Sequence, residues 1–222
     1  MPRILLLTFD HLPNRQLIGD SAALTVVYEQ LDAVSAYFEN HYLQSPGADS
    51  LLAPADVWQT LSEAVRTEDL HLSVDASCAS SASITPRPSP LSATWESVLS
   101  DQIPLRISSP AAPADETNLK NGGNAPRCLH WVHTGLPTAD ADAAQRLQCL
   151  INALSDGGWT HVLITCLSGS PPPEGGRFSS QCFEGRLRVP LWVLNGSDCR
   201  RITALTGSYD LAATLLDLLT SP

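Results

Sequence analysis

The chain opens on an unbroken apolar run, Ile4-Leu5-Leu6-Leu7, which passes through Thr8 and Phe9 and stops at Asp10-His11. A short run of this kind, cut off by an acid, predicts a strand over 3–9 that is buried on both faces, as parallel strands are. Leu24, Val27, Tyr28, Leu31, Val34 and Phe38 follow at helical spacing and predict an amphipathic helix. Pro54 suits a first helical turn, and Val57, Leu61 and Val65 continue a second helix, after which Leu70–Val74 reads as a short strand. Further along, Cys128–His133 reads as a strand. Thr138 is a helix cap with Asp140 and Asp142 in the first turn, and Ala143, Leu147, Leu150, Ile151 and Leu154 form the apolar face. Gly157-Gly158 ends that helix, His161–Cys166 and Leu187–Leu194 read as buried strands, and a helix closes the pattern from Tyr209 to Leu219.

Alternating strands and helices predict an α/β fold, a three-layer sandwich around a mostly parallel sheet, as one domain over 1–222. The stretch 76–126 breaks the pattern. It is rich in Ser, Ala, Pro and Asn, and reads as long loops with one short helix around Trp95–Leu99. The run 171–176 reads as a turn or lid.

Composition narrows the partners. With 43% hydrophobic and 16% charged residues the chain reads as a soluble globular protein, and 13 basic against 23 acidic residues leave a net charge of −10. Nucleic acid and anionic membranes need a basic face, so neither is expected as a partner; a protein partner or self-association is. No run reaches the roughly 18–20 apolar residues of a membrane span, and a strand that starts at the third residue predicts no signal peptide. The six cysteines (Cys78, Cys128, Cys149, Cys166, Cys182, Cys199) form no Cys-x-x-Cys and read as reduced thiols of a cytoplasmic protein.

Several segments, taken in order, carry a resemblance to the sulfatase family of the alkaline-phosphatase superfamily. FDHLPNRQLIG is similar to that family's first strand end, and TVVYEQLDAVSAYFENHY to its following helix, with Thr25, Leu31, Phe38, Glu39, Asn40, His41 and Tyr42 in register. PADVWQTLSEAV, GWTHVLITCLSG, FEGRLRVPLWVLNG and YDLAATLLDLL resemble its later helix, its metal-bearing strand end, its Glu-Gly…Arg-Val-Pro strand and its closing helix. The resemblance implies a truncated alkaline-phosphatase-like sandwich.

It also implies a site that this chain does not carry. The family needs a Cys or Ser nucleophile in Cys/Ser-x-Pro-x-Arg. Aligned on Ser45-Pro46, this chain offers Ala48 and Leu52; aligned on Pro54, it offers Leu52 and Asp56. The family binds its divalent cation with two N-terminal acids and an Asp-His/Asn pair. Here Asp10 remains, His11 replaces the second acid, and Leu167-Ser168 replace the pair. Nucleophilic, electrostatic and Lewis-acid catalysis are lost together. The expectation is a pseudoenzyme with no catalytic residue, no metal and no cofactor, acting as a binding, scaffolding or regulatory module.

The competing reading is a metal-dependent sulfate or phosphate ester hydrolase rebuilt around Asp10, His11 and His133, with Asp10 and His11 holding a divalent cation. Each residue also has a plainer role. Asp10 suits a strand-end cap, and His133 ends a strand whose Cys128 and His130 fall on one face and His133 on the other, which scatters a zinc set. Arg186, Arg188, Arg200 and Arg201 form either an anion site or solvated strand-edge charge.

Overall fold

The computed structural model describes residues 2–18, 21–44, 71–77, 105–106, 128–134, 140–154, 157–169, 184–194 and 199–220. Their strands are β1 (Arg3–Phe9), β2 (Ala36–Tyr42), β3 (His71–Ser77), β4 (Leu105–Arg106), β5 (Cys128–Thr134), β6 (His161–Cys166), β7 (Arg188–Leu194) and β8 (Arg200–Gly207). The helices are α1 (Ala22–Val34), α2 (Asp140–Leu154), the single turn α3 (Glu184–Leu187) and α4 (Ser208–Thr220). The strands make one sheet in the order β4-β3-β5-β1-β6-β7-β2-β8. It is parallel except around β7, which runs against both β6 and β2.

β1 is central because nothing in it needs water. Ile4, Leu5, Leu6, Leu7, Thr8 and Phe9 are all fully buried, so both faces of the strand are sealed. Its parallel neighbours β5 and β6 bring Thr134 and Cys166 level with Phe9, so three C-terminal strand ends lie side by side. Apolar side chains of α1 (Leu24, Val27, Tyr28, Leu31), α2 (Leu147, Leu150) and α4 (Leu211, Leu215, Leu219) join one core with the strands. Tyr28 meets Trp192 edge-on at 4.8 Å between ring centroids.

Three sequence expectations change. The helical stripe drawn through Phe38 ends at Val34; Ser35 turns extended (φ −140, ψ 162), and 36–42 pair as a strand between β7 and β8. Ala36 and Tyr37 are buried there because both flanking strands are present, a tertiary reason that helical spacing cannot anticipate. The strand expected over 70–74 spans His71–Ser77 instead, and the loop-rich stretch 76–126 contains β4, which pairs with β3. β8 was not anticipated at all: most of its side chains are exposed, so it carries no apolar alternation. The helices expected from Pro54 and around Trp95, the cap Thr138 and the turn 171–176 lie outside the described residues.

Candidate functional site at the C-terminal strand ends

β1 delivers Asp10 to the edge of the sheet, where its side chain stays 45% exposed. Beneath it runs a line of buried polar groups. Trp131 Nε1 can only donate, and it gives its proton to Thr8 Oγ1 at 2.8 Å. The Thr8 hydroxyl then has one proton to place, with His133 Nδ1 at 3.0 Å and the Val132 carbonyl at 3.4 Å. An ionised carboxylate can only accept, so His133 Nε2 carries the proton it gives to Asp10 Oδ1 at 3.0 Å, and the neutral ring leaves Nδ1 to accept from Thr8. Register builds this chain, since Thr8 and His133 are paired positions on neighbouring parallel strands. Trp131 and Thr8 are fully buried and His133 is nearly so, which makes Asp10 the exposed end of an otherwise dry relay.

His11 goes elsewhere. It lies near Gly169 and Ser168, in the segment after β6. Desolvation lowers its pKa and the nearby Arg186 charge pushes the same way, against the Gly169 and Ser168 backbone and Asp10. The two segments are stitched together by Leu12 N–H to Ser168 O (3.2 Å) and Leu167 N–H to Phe9 O (2.8 Å). Cys166 lies beneath them with its thiol donating to Ser168 O at 3.1 Å, and burial pushes its pKa up to about 12. That thiol stays protonated and closed off, so it is no nucleophile.

Of the residues singled out in the sequence, the structure brings Asp10 and His133 into contact and turns His11 toward the β6 end. His130 leaves by the opposite face and stacks on Trp159 at 5.9 Å between ring centroids. Arg188 and Arg201 are committed to partners within the chain. Arg188 donates to Glu39 O (3.1 Å), Gln16 Oε1 (2.9 Å) and Asn40 Oδ1 (2.7 Å), while Arg201 clasps the Glu39 carboxylate at 2.5 and 2.9 Å. Both guanidiniums serve to tie β2, β7 and β8 to the loop after β1. Ala48, Leu52 and Asp56, the nucleophile and arginine positions of the two alignments, lie outside the described residues.

Thr8 and Trp131 were missed in the sequence. The available signal was Thr8 itself, a lone hydroxyl in an apolar strand two residues before the acid, and therefore on the same face.

The described donors do not suit a hard divalent cation. Such an ion takes about six to eight oxygens, several from carboxylates; Asp10 supplies one carboxylate with one oxygen already bonded to His133, and position 167 is a buried leucine. Among the described residues, no three His, Cys, Asp or Glu side chains are grouped to hold a metal ion.

No family model matches the sequence, and no curated protein matches it either. Solved structures do. A protein in the alkaline phosphatase superfamily from Vibrio parahaemolyticus aligns over 98% of this chain and 66% of its own, with TM-score 0.63 and 10% identity. The phosphonate monoester hydrolase of Agrobacterium radiobacter aligns over 99% and 74%, with TM-score 0.63 and 12% identity. The PsFucS1 sulfatase from Pseudoalteromonas sp. aligns over 99% and 68%, with TM-score 0.63 and 11% identity. The fold is thus that of the alkaline-phosphatase superfamily, on a chain spanning about two thirds to three quarters of these proteins.

Proposed function

We propose that this chain is a catalytically inactive, sulfatase-like protein that serves as a binding, scaffolding or regulatory module. One observation carries the reading: the acid at the position of the family's first cation ligand is bonded through Oδ1 to His133, whose other nitrogen is fixed by Thr8. A carboxylate used in this way is positioned as a fixed acceptor at the sheet edge, not as a member of a cation cage. The sequence supports the reading further, because neither alignment of the nucleophile motif offers an attacking group or a guanidinium. The net charge of −10 favours a protein partner, a second copy included, over nucleic acid or an anionic membrane. Among the described residues no helix is long and apolar enough to cross a membrane. Cys149, Cys166 and Cys199 are free thiols, in keeping with a reducing, cytoplasmic setting.

The test combines turnover with cation response. Purified protein is expected to hydrolyse aryl sulfate and aryl phosphate esters no faster than the blank. Calcium and magnesium are expected to leave its melting temperature unchanged. A cation at a hundred times its dissociation constant would add about 2.7 kcal/mol, which a thermal melt detects readily. Turnover abolished by Asp10→Ala, or a clear cation-dependent rise in Tm, would replace this reading with the rebuilt hydrolase centred on Asp10, His11 and His133.

A further inference from the structure

At the far side of the sheet from Asp10, His41 is fully buried in β2. Its Nδ1 meets Thr206 Oγ1 of β8 at 3.1 Å, and its Nε2 has no hydrogen-bond partner among the described residues. The ring sits where the sheet is irregular, since β2 shifts register against both β7 and β8 between Phe38 and His41. Opposite it on β7 is Val189, which is apolar and fully buried. Of the neighbouring charges, Arg188 of β7 and Arg201 of β8 are both drawn to Glu39 of β2. Among the described residues the one charge acting on the ring is Asp210 in the first turn of α4, and it favours the protonated form. A second proton on this ring would therefore place a cation in an apolar seam with one hydroxyl partner and one distant carboxylate.

The elements on the other side of that seam are β8, at the end of the described strand order, and α4, whose Leu211, Leu215 and Leu219 reach the core. β8 is an outer strand of the sheet with mostly exposed side chains, including Leu205 at 77%. Besides its ladder to β2, its described ties are Asn40 Nδ2–H to Thr203 O (2.8 Å), the Arg201–Glu39 pair and the His41–Thr206 contact. Contiguous outer elements of this kind open locally at less cost than a central strand.

We propose that His41 is an acid-sensitive fastener: while neutral it keeps β8 and α4 docked on β2, and its protonation releases them as a unit. The direction follows from linkage. In the opened unit His41 is hydrated and takes a proton near pH 6.5; docked, burial lowers its pKa to about 4. Docking is thus fully favoured above about pH 6.5 and weakens progressively as pH falls toward 4, by up to tenfold in the opening constant per pH unit. Staying above pH 5 keeps ordinary carboxylates ionised; burial also lowers the pKa of His11 and His161, so the His41→Gln variant is what isolates the contribution of His41.

Native-state hydrogen exchange, corrected for intrinsic rates, tests this in the full chain. Between pH 7 and 5, amides of β8 and α4 are expected to lose about 20-fold in protection while staying less protected than those of β1 and β5, whose global opening exposes His41 as well. In His41→Gln the pH dependence at β8 and α4 should vanish. Thr206→Val removes the hydroxyl but not the titrating ring, so it should lower protection yet keep the slope, and it serves even if His41→Gln does not fold. A pH-independent β8 and α4, amides of β8 and α4 as strongly protected as those of β1, or a slope that disappears in Thr206→Val would overturn the proposal.

Discussion

Gly169→Ala is expected to lower stability by about 3 kcal/mol, a large effect for a single methyl group. Gly169 follows the β6 strand end and lies against the backbone of the segment that leads into β7. A Cβ there would fall 2.1 Å from Gly185 O and 2.9 Å from Arg188 O. Both are backbone atoms, so no side chain can swing aside. The two segments must separate, and the Gly169 N–H to Arg186 O bond (2.8 Å) goes with them. For a chain of this size the loss corresponds to a fall of roughly 6–12 °C in melting temperature. Gly158→Ala is the comparison. That residue has φ +61, so alanine is strained by about 1 kcal/mol, but its Cβ would meet only the end of the Arg3 side chain. If thermal melts show Gly169→Ala to be no worse than Gly158→Ala, the close approach between the two segments is wrong.

The same contact gives a structural reason for two of the segments that resemble the sulfatase family. Gly169 closes the segment that resembles the family's metal-bearing strand end, while Leu167 and Ser168 stand at its ligand positions. Gly185 and Arg188 belong to the Glu-Gly…Arg-Val-Pro segment; one is the backbone that Gly169 packs against, and the other ties the Glu39 carbonyl to Gln16 and Asn40. Glu39, Asn40 and His41 face Arg201, Thr203 and Thr206 of β8. These residues have structural reasons to be what they are. Their resemblance is informative about fold and neutral about catalysis.

What could be read from the sequence follows from burial. β1, β5 and β6 are buried across the sheet, so their apolar runs announce both the strands and the edge at which Asp10 emerges. β2 and β8 do not announce themselves. Phe38 sits at helical spacing after Leu31 and Val34, and only pairing with β7 and β8 decides that 36–42 are extended. Asp10 and His133 were grouped in the sequence only in the rebuilt-hydrolase reading; their hydrogen bond depends on a parallel register linking residues 123 positions apart. A sequence shows that each residue ends a strand; it does not show that the two strands are neighbours.

The relay beneath Asp10 makes a second large prediction. Thr8→Val keeps the shape of the side chain and removes the hydroxyl that both the Trp131 indole N–H and His133 Nδ1 meet. Each such loss in a dry interior costs about 1–3 kcal/mol, so the variant should be destabilised by roughly 2–6 kcal/mol at pH 7. Thr165→Val is the matched control. Thr165 is as deeply buried on β6, but its hydroxyl serves one described partner, the Pro190 carbonyl at 2.9 Å, and its loss should cost about 1–3 kcal/mol. The histidine gives an independent signature. In the parent protein, ¹⁵N spectra should show His133 protonated at Nε2 and bare at Nδ1, because Thr8 supplies the proton that Nδ1 accepts. Without that hydroxyl the preference should weaken, and the hold on Asp10 with it. Equal costs for the two valine variants, or a parent His133 protonated at Nδ1 alone, would mean that the chain from Trp131 to Asp10 does not run in the direction assigned to it.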